Sequence, residues 1–175
     1  MSEIVVTTVG ADRPGIVAAL TGALLEIGGN LADVRAALLR GSFATMLAVS
    51  VPDDVGVDEV EACLAPVAAR MGLGLHVARA EPIAEGPPRR RAVLSVYGAD
   101  RPGIVNAIAT AVASHGANII DLSARRVGDP PIYVLGIEME LPPGLDVGTL
   151  AGRLHPVADA QGVELTLDDE DDEIL

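Results

Sequence analysis

The octapeptide GADRPGIV stands at residues 10–17 and again at 98–105. Eight matches in a row mark an internal repeat, and a repeat decides the architecture before any single element is read. The same offset of 88 aligns Gly28 with Gly116, Asn30 with Asn118 and Asp33 with Asp121. After a two-residue insertion in the second copy, an offset of 90 aligns Leu64-x-Pro66-Val67-Ala68 with Leu154-x-Pro156-Val157-Ala158. The repeat therefore spans nearly all of the 175 residues, and the chain is two copies of one small domain.

Working outward from the octapeptide, residues 3–9 are rich in Ile, Val and Thr and read as a strand ending at Gly10. Ile16, Val17, Leu20, Leu24 and Ile27 then recur at helical spacing. Gly28-Gly29 stops that helix, and strands follow at 30–39 and 43–51 around a turn at Arg40-Gly41. Val57, Val60, Leu64, Val67 and Met71 share one face of a second helix, and 73–80 is a last strand. The second copy repeats this with strands at 92–97, 118–127, 132–141 and 163–167 and helices at about 101–115 and 147–161. Pro66 and Pro156 fall inside the second helices, where a missing amide hydrogen predicts a kink or a lost turn. The order βαββαβ predicts an α+β chain: two ferredoxin-like domains in tandem, each an antiparallel sheet with both helices on one face. The other sheet face needs a cover, from packing between the copies or against another chain.

The predicted boundaries are a first domain at 1–81, a linker at 82–91, a second domain at 92–167 and an acidic tail at 168–175. The stretch EPIAEGPPRRR at 81–91, which includes the linker, carries the prolines, glycine and charges of an exposed connection. Its three arginines read best as a solvated run rather than a partner site. The six consecutive acids from Asp168 to Glu173 supply part of the net charge of −13, and the remainder is still acidic. An acidic body with few aromatics disfavours nucleic acid and anionic membranes as direct partners. The tail reads as disordered and solubilising, or as contacting a basic partner. No basic segment followed by an apolar stretch opens the chain, and the single Cys63 suits a reducing compartment, so a cytoplasmic location is expected.

The repeated turn carries the candidate chemistry. A strand that ends in Gly-Ala-Asp-Arg-Pro-Gly and opens into a helix presents unpaired backbone amides at the positive end of a helix dipole, a ready place for a carboxylate. Asp12 and Asp100 are expected to cap the helices, Pro14 and Pro102 to occupy the first turns, and Gly15 and Gly103 to allow close approach. The same residues also make a good helix start with no ligand at all. Asn30 and Asn118 open the strand after the first helix, and each is expected to lie near the adjoining loop, where an amide can pair with both ends of an amino acid. An ordinary turn asparagine is the plainer alternative, and Asp33 and Asp121 read equally well as sheet-end residues.

Each copy resembles an ACT domain, through the strand, G-x-D-R-P-G-I-V, helix and G-x-N in that order. Two such copies in a short chain are similar to the glycine cleavage system transcriptional repressor family. The resemblance implies amino-acid binding, commonly at interfaces between paired domains. Carried over onto this sequence, the ligand contacts it implies are Asp12, Arg13, Gly15 and Asn30, with Asp100, Arg101, Gly103 and Asn118 in the second copy. Where some amino-acid-binding members have Asn, this chain has Asp12 and Asp100, whose carboxylates repel a ligand's carboxylate and favour its ammonium.

No nucleophile elbow, zinc-binding H-E-x-x-H, phosphate loop or dinucleotide fingerprint occurs, so no catalytic residue, metal or cofactor is expected. His76, His115 and His155 are scattered over different elements, and Cys63 reads as a core residue. The leading expectation is a regulatory protein that binds an amino acid, forms a homodimer and modulates a partner protein, in transcriptional control of amino-acid metabolism including that of glycine. The alternatives are an ACT-related enzyme or regulatory subunit of a folate or amino-acid enzyme, and an interaction scaffold that binds no ligand.

Overall fold

The computed structural model describes residues 1–81 and 89–170. In the first repeat the order is β1 (Ser2–Ala11), α1 (Ile16–Glu26), β2 (Asn30–Leu39), β3 (Ser42–Val51), α2 (Val57–Met71) and β4 (Leu73–Arg79). The second repeat gives β5 (Arg91–Gly98), α3 (Ile104–Ser114), β6 (Asn118–Val127), β7 (Ile132–Glu140), α4 (Val147–Gln161) and β8 (Val163–Asp169). The chain divides into two compact units, Met1–Ala84 and Glu85–Leu175. Each unit holds one four-stranded antiparallel sheet, in the orders β2-β3-β1-β4 and β6-β7-β5-β8. This is the ferredoxin-like arrangement that the repeat and its element order predict.

Alternation along the central strand explains the layering. Ile4, Val6 and Thr8 of β1 are buried, while Glu3 and Val9 are exposed. The buried set packs with Leu47, Val49 and Val51 of β3 against Ile16, Leu20 and Leu24 of α1 and Val60, Leu64 and Val67 of α2. The second unit repeats this core with Leu94, Val96, Ile137 and Met139 beneath Ile108, Leu150 and Leu154. Full burial of each such leucine or isoleucine contributes about 1.5–3 kcal/mol. The opposite face of the first sheet leaves Val9 and Met46 half exposed, and β2 is exposed along nearly its whole length.

Several boundaries differ from the sequence reading. Strand β8 runs through Asp169, so Asp168 and Asp169 are strand residues rather than the start of a tail, and Asp169 forms an ion pair with Arg90. Arg91 opens β5 instead of closing the linker. Linker residues 82–88 and tail residues 171–175 lie outside the described residues. Helices α2 and α4 each continue for 15 residues through Pro66 and Pro156 without losing a turn. Among the described residues no helix is long and apolar enough to cross a membrane.

The cores differ at one buried polar pair. Thr8 and Thr45 face each other across β1 and β3, both almost fully buried, with their hydroxyls 2.8 Å apart. The second unit places Val96 and Leu135 at the matching register. Removing one hydroxyl strands the other in an apolar core, whereas removing both restores the second unit's solution. We expect Thr8→Val to cost about 1–3 kcal/mol and Thr8→Val with Thr45→Val to recover most of that loss in urea unfolding. Additive losses in the double variant contradict the pairing.

Candidate functional site

The repeated loop begins where β1 and β5 end, and its first glycine is fixed by contact. A Cβ on Gly10 would lie 2.6 Å from the carbonyl oxygen of Gly72, and one on Gly98 would lie 2.7 Å from Cγ1 of Val163. The strand end is thus pressed against the turn that follows α2 or α4. The Asp12 amide then donates to the Gly41 carbonyl at 2.9 Å, tying the loop to the β2–β3 turn.

The helix starts differ from the sequence expectation. Asp12 and Asp100 do not cap; the N-cap residues are Gly15 and Gly103, left-handed at φ 91° and 101°, and no side chain accepts a bond from the first-turn amides. Pro14 sits in the turn before the cap, not in the first turn of α1. A space-filling reason for Gly15 is absent, since nothing lies within 4 Å of a Cβ built there. The reason is conformational, because an L side chain in this region costs about 1–2 kcal/mol. The second helix of each unit is served differently. The Glu59 carboxylate accepts from the Gly56 amide at 2.7 Å, and Asp146 accepts from the Thr149 amide and hydroxyl at 2.7 and 2.6 Å. The Thr149 bonds hold the Asp146 carboxyl below the usual carboxylate range. In α4 a side chain thus caps a first-turn amide, in α2 a carboxylate binds only the amide of the cap residue Gly56, and the first helix of each unit has no side-chain partner at its start.

Arg13 and Arg101 turn away from the helix start. Nη2 of Arg13 lies 3.7 Å from the Cβ position of Gly72, and Nη1 of Arg101 lies 2.9 Å from that of Gly162. These glycines are the C-caps of α2 and α4, so each guanidinium rests at the negative end of a helix dipole. Asp100 forms an ion pair with Arg126 of β6, which the sequence reading missed. The signal was present: the position matching Arg126 in the first copy is Leu38, so Asp12 has no cation there. The two loops share a backbone and differ in charge.

Asn30 and Asn118 do not lie beside the loop of their own unit. Asn30 pairs with Ser50, which pairs with Glu3 near the start of β1, whereas the loop follows the other end of that strand. At about 3.3 Å per residue the separation is roughly 25 Å. Asn118 is placed likewise, paired with Glu140 opposite Arg91. The sequence expectation fails because the intervening helix carries the chain back down the full length of the sheet. Asp33 turns onto its own strand, accepting from the Val34 amide at 2.7 Å, next to a register shift between Leu31 and Asp33.

The remaining reactive side chains are dispersed. His115 Nδ1 lies 3.2 Å from Arg153 Nη1, and His155 Nδ1 bonds the Ala151 carbonyl of its own helix at 2.6 Å. Among the described residues no group of three or more His, Cys, Asp or Glu side chains is placed to hold a metal ion. Cys63 donates to the Ala23 carbonyl at 3.1 Å, and burial first, then the charge of Glu26, pushes its thiol above the ordinary value.

Comparison with known proteins places this geometry. A family model described as the ACT domain matches residues 2–78 and 90–168. Phosphoserine phosphatase SerB2 of Mycobacterium tuberculosis is 31% identical over 95% of this chain, and the chain spans 41% of that protein's length. The UPF0237 protein MK1213 of Methanopyrus kandleri is 37% identical over 46% of this chain and 89% of its own. Among solved structures, an unknown protein from Galdieria sulphuraria superposes with a TM-score of 0.84 at 30% identity, covering 96% of this chain and 98% of that one. A structure provisionally named a glycine cleavage system transcriptional repressor shares the fold, with a TM-score of 0.75 at 21% identity and 96% of each chain covered.

Two outcomes test the local geometry. Gly15→Ala and Gly103→Ala should each lower stability by about 1–2 kcal/mol in urea unfolding, with Gly→Asn costing less because asparagine tolerates the left-handed region. At pH 8 iodoacetamide should modify Cys63 more slowly in the folded chain than in urea, since a raised pKa and partial burial both reduce accessible thiolate.

Proposed function

The chain belongs to the ACT domain family, and from that premise we propose that it is a regulatory protein without catalysis of its own, which binds a small α-amino acid and transmits its occupancy to a partner protein. One observation carries this reading. In both units the first helix begins with a left-handed glycine and no side-chain cap, while at the start of the second helix a carboxylate accepts from a backbone amide, that of the cap residue Gly56 in α2 and that of Thr149 in α4. Open amides at a helix N-terminus suit an anionic group such as a ligand carboxylate.

The asparagine supplies the amide expected to complete recognition, yet it stands at the opposite end of its own sheet from the loop. A ligand that touches both is held between two domains. Strand β2 is a long exposed edge, and pairing it antiparallel with β2 of a second chain brings the loop end of one domain to the asparagine end of the other. A homodimer with Asp12, Arg13 and Gly15 on one side and Asn30 on the other follows, with Asp100, Arg101, Gly103 and Asn118 as the second set. Arginine here acts mainly by holding the loop on the α2 or α4 C-terminus. The Asp100–Arg126 pair makes the second loop the better carboxylate receptor, because the charge of Asp12 has no cation at the matching Leu38.

Ligand-linked regulation then needs only a difference in affinity between two arrangements of the domains. A role in transcriptional control of amino-acid metabolism, glycine included, belongs to the same proposal. It is exercised through a partner protein, since a net charge of −13 opposes contact with phosphates. The similarity to SerB2 supports a second reading, a regulatory partner of an amino-acid enzyme, and puts serine beside glycine as the first ligands to try.

Thermal shift of the full chain against the twenty amino acids, followed by calorimetry, tests the proposal. We expect saturable stabilisation by a small amino acid, about 2.7 kcal/mol at a hundredfold excess over Kd. Asn30→Ala with Asn118→Ala should abolish it, and Arg126→Leu should weaken the second-copy site. A folded, monodisperse protein that no amino acid stabilises rules this reading out.

A further inference from the structure

The ladder register fixes which residues share the sheet face turned away from the helices. In the first unit one row across this face is Asp33, Ala48, Val5 and Ala78, and the next is Arg35, Met46, Thr7 and His76. Val9 and Met46 stand on it 52% and 54% exposed. The second unit carries Arg125, Glu138, Glu140, Glu164 and Asp168 on the matching face. At those five positions the first unit has Ala37, Ala48, Ser50, Gly74 and Ala78. One fold supports both surfaces, so packing within the unit requires neither. A charged face is stable in water, whereas a face of Val, Met and Ala gains by leaving it.

The apolar pattern is self-complementary. Consider a two-fold axis lying across the strands, between the Asp33 row and the Arg35 row. It sets Met46 of each copy over Ala48 of the other, a long side chain over a short one, and brings Asp33 to Arg35 twice. Arg35 forms no ion pair among the described residues, and the Val34 amide takes only Oδ1 of Asp33. On the strands of this face Glu3, Asp33 and Arg35 leave one net negative charge, so like faces repel little. Four strands about 4.8 Å apart and eight residues of about 3.3 Å give a face of roughly 500 Å². Two of them bury about 1,000 Å², the size that a specific interface must reach.

We propose that the outer sheet face of the N-terminal unit is a docking surface for the same face of a second copy, forming a two-fold sandwich with the sheets about 10 Å apart. The contact is distinct from the β2–β2 pairing of the proposed ligand site. That pairing uses the backbone of one edge strand, and this one uses side chains of all four strands. An assembly with both contacts is a tetramer. The sandwich does not rest on the amino-acid reading.

Sedimentation equilibrium of the full-length chain, with no amino acid present, tests the contact. Self-association is expected below about 0.5 mM. Ala48→Glu with Ala78→Asp installs the carboxylates that the second unit already carries in the same fold, and lies on β3 and β4, away from the β2 edge. It should weaken association by about tenfold or more, taking a tetramer to a dimer or a dimer to a monomer. Met46→Lys should do the same, while Glu138→Gln with Asp168→Asn should change nothing. Arg35→Asp should weaken the contact, and adding Asp33→Arg should restore it, because the two-fold exchanges the ends of each pair. A wild-type chain that stays monomeric, association that the folded Ala48→Glu and Ala78→Asp chain retains in full, or no recovery in the charge-swapped chain each overturn the proposal. Because no ligand is present, failure of the amino-acid screen is a separate result.

Discussion

Central strands β1 and β5 are hydrogen-bonded on both sides and finish on glycines, Gly10 and Gly98, packed directly against the turns after α2 and α4. Any side chain at these positions would overlap a carbonyl or a valine, so the strand end, the loop and the last turn of the second helix form one body. The direction in which the loop leaves the sheet follows from that contact. So does the placement of Arg13 and Arg101 over the helix C-caps. The left-handed Gly15 and Gly103 then turn the chain into the first helix without a side-chain cap. Loop, helix start and neighbouring turn are consequences of one close approach made twice.

Duplication lets the two copies serve as controls for one another. What both retain, such as the glycines, the apolar alternation and the uncapped first helix, belongs to the fold or to a function common to both. What only one has is available for specialisation. The buried Thr8–Thr45 pair and its Val96 and Leu135 counterparts are alternative solutions of one packing problem. The Asp100–Arg126 pair, Tyr97, Asp159 and Glu164 are different in kind, because they lie at the surface where packing makes no demand. Charge and aromatic surface thus accumulate around the second loop, while the first retains a carboxylate, Asp12, with no ion pair among the described residues, and an exposed Leu38.

An edge strand exposed along nearly its whole length and a sheet face that keeps Val9 and Met46 half exposed are features that folded domains ordinarily cover. The separation of Asn30 from the loop gives this exposure a functional sense under the proposed reading. A ligand bridging those groups joins two edges, so occupancy and association become linked equilibria. Within one unit, the rigid ladder holds the two groups too far apart for a small ligand to sense both.

The sequence by itself determined the repeat, the element order and the core. Residues 10–17 recur intact, Ile4, Val6 and Thr8 alternate at the strand period, and Leu20 with Leu24 in α1 and Val60 with Leu64 in α2 recur at the helical one. These signals are local, and local periodicity survives in a one-dimensional string. Strand ends were less legible: Asp168 and Asp169 look like an acidic tail until the ladder to β5 shows them paired. The site was legible as a list of residues and not as an arrangement. Asp12 resembles a helix cap by composition, but the conformation of Gly15 takes that place. Asn30 resembles a neighbour of the loop, but α1 returns the chain to the far end of the sheet. Arg126 meeting Asp100, and Tyr97 meeting Glu164, are contacts between residues 26 and 67 positions apart. Only the sheet register brings them together, because a pairing across strands has no period along the chain.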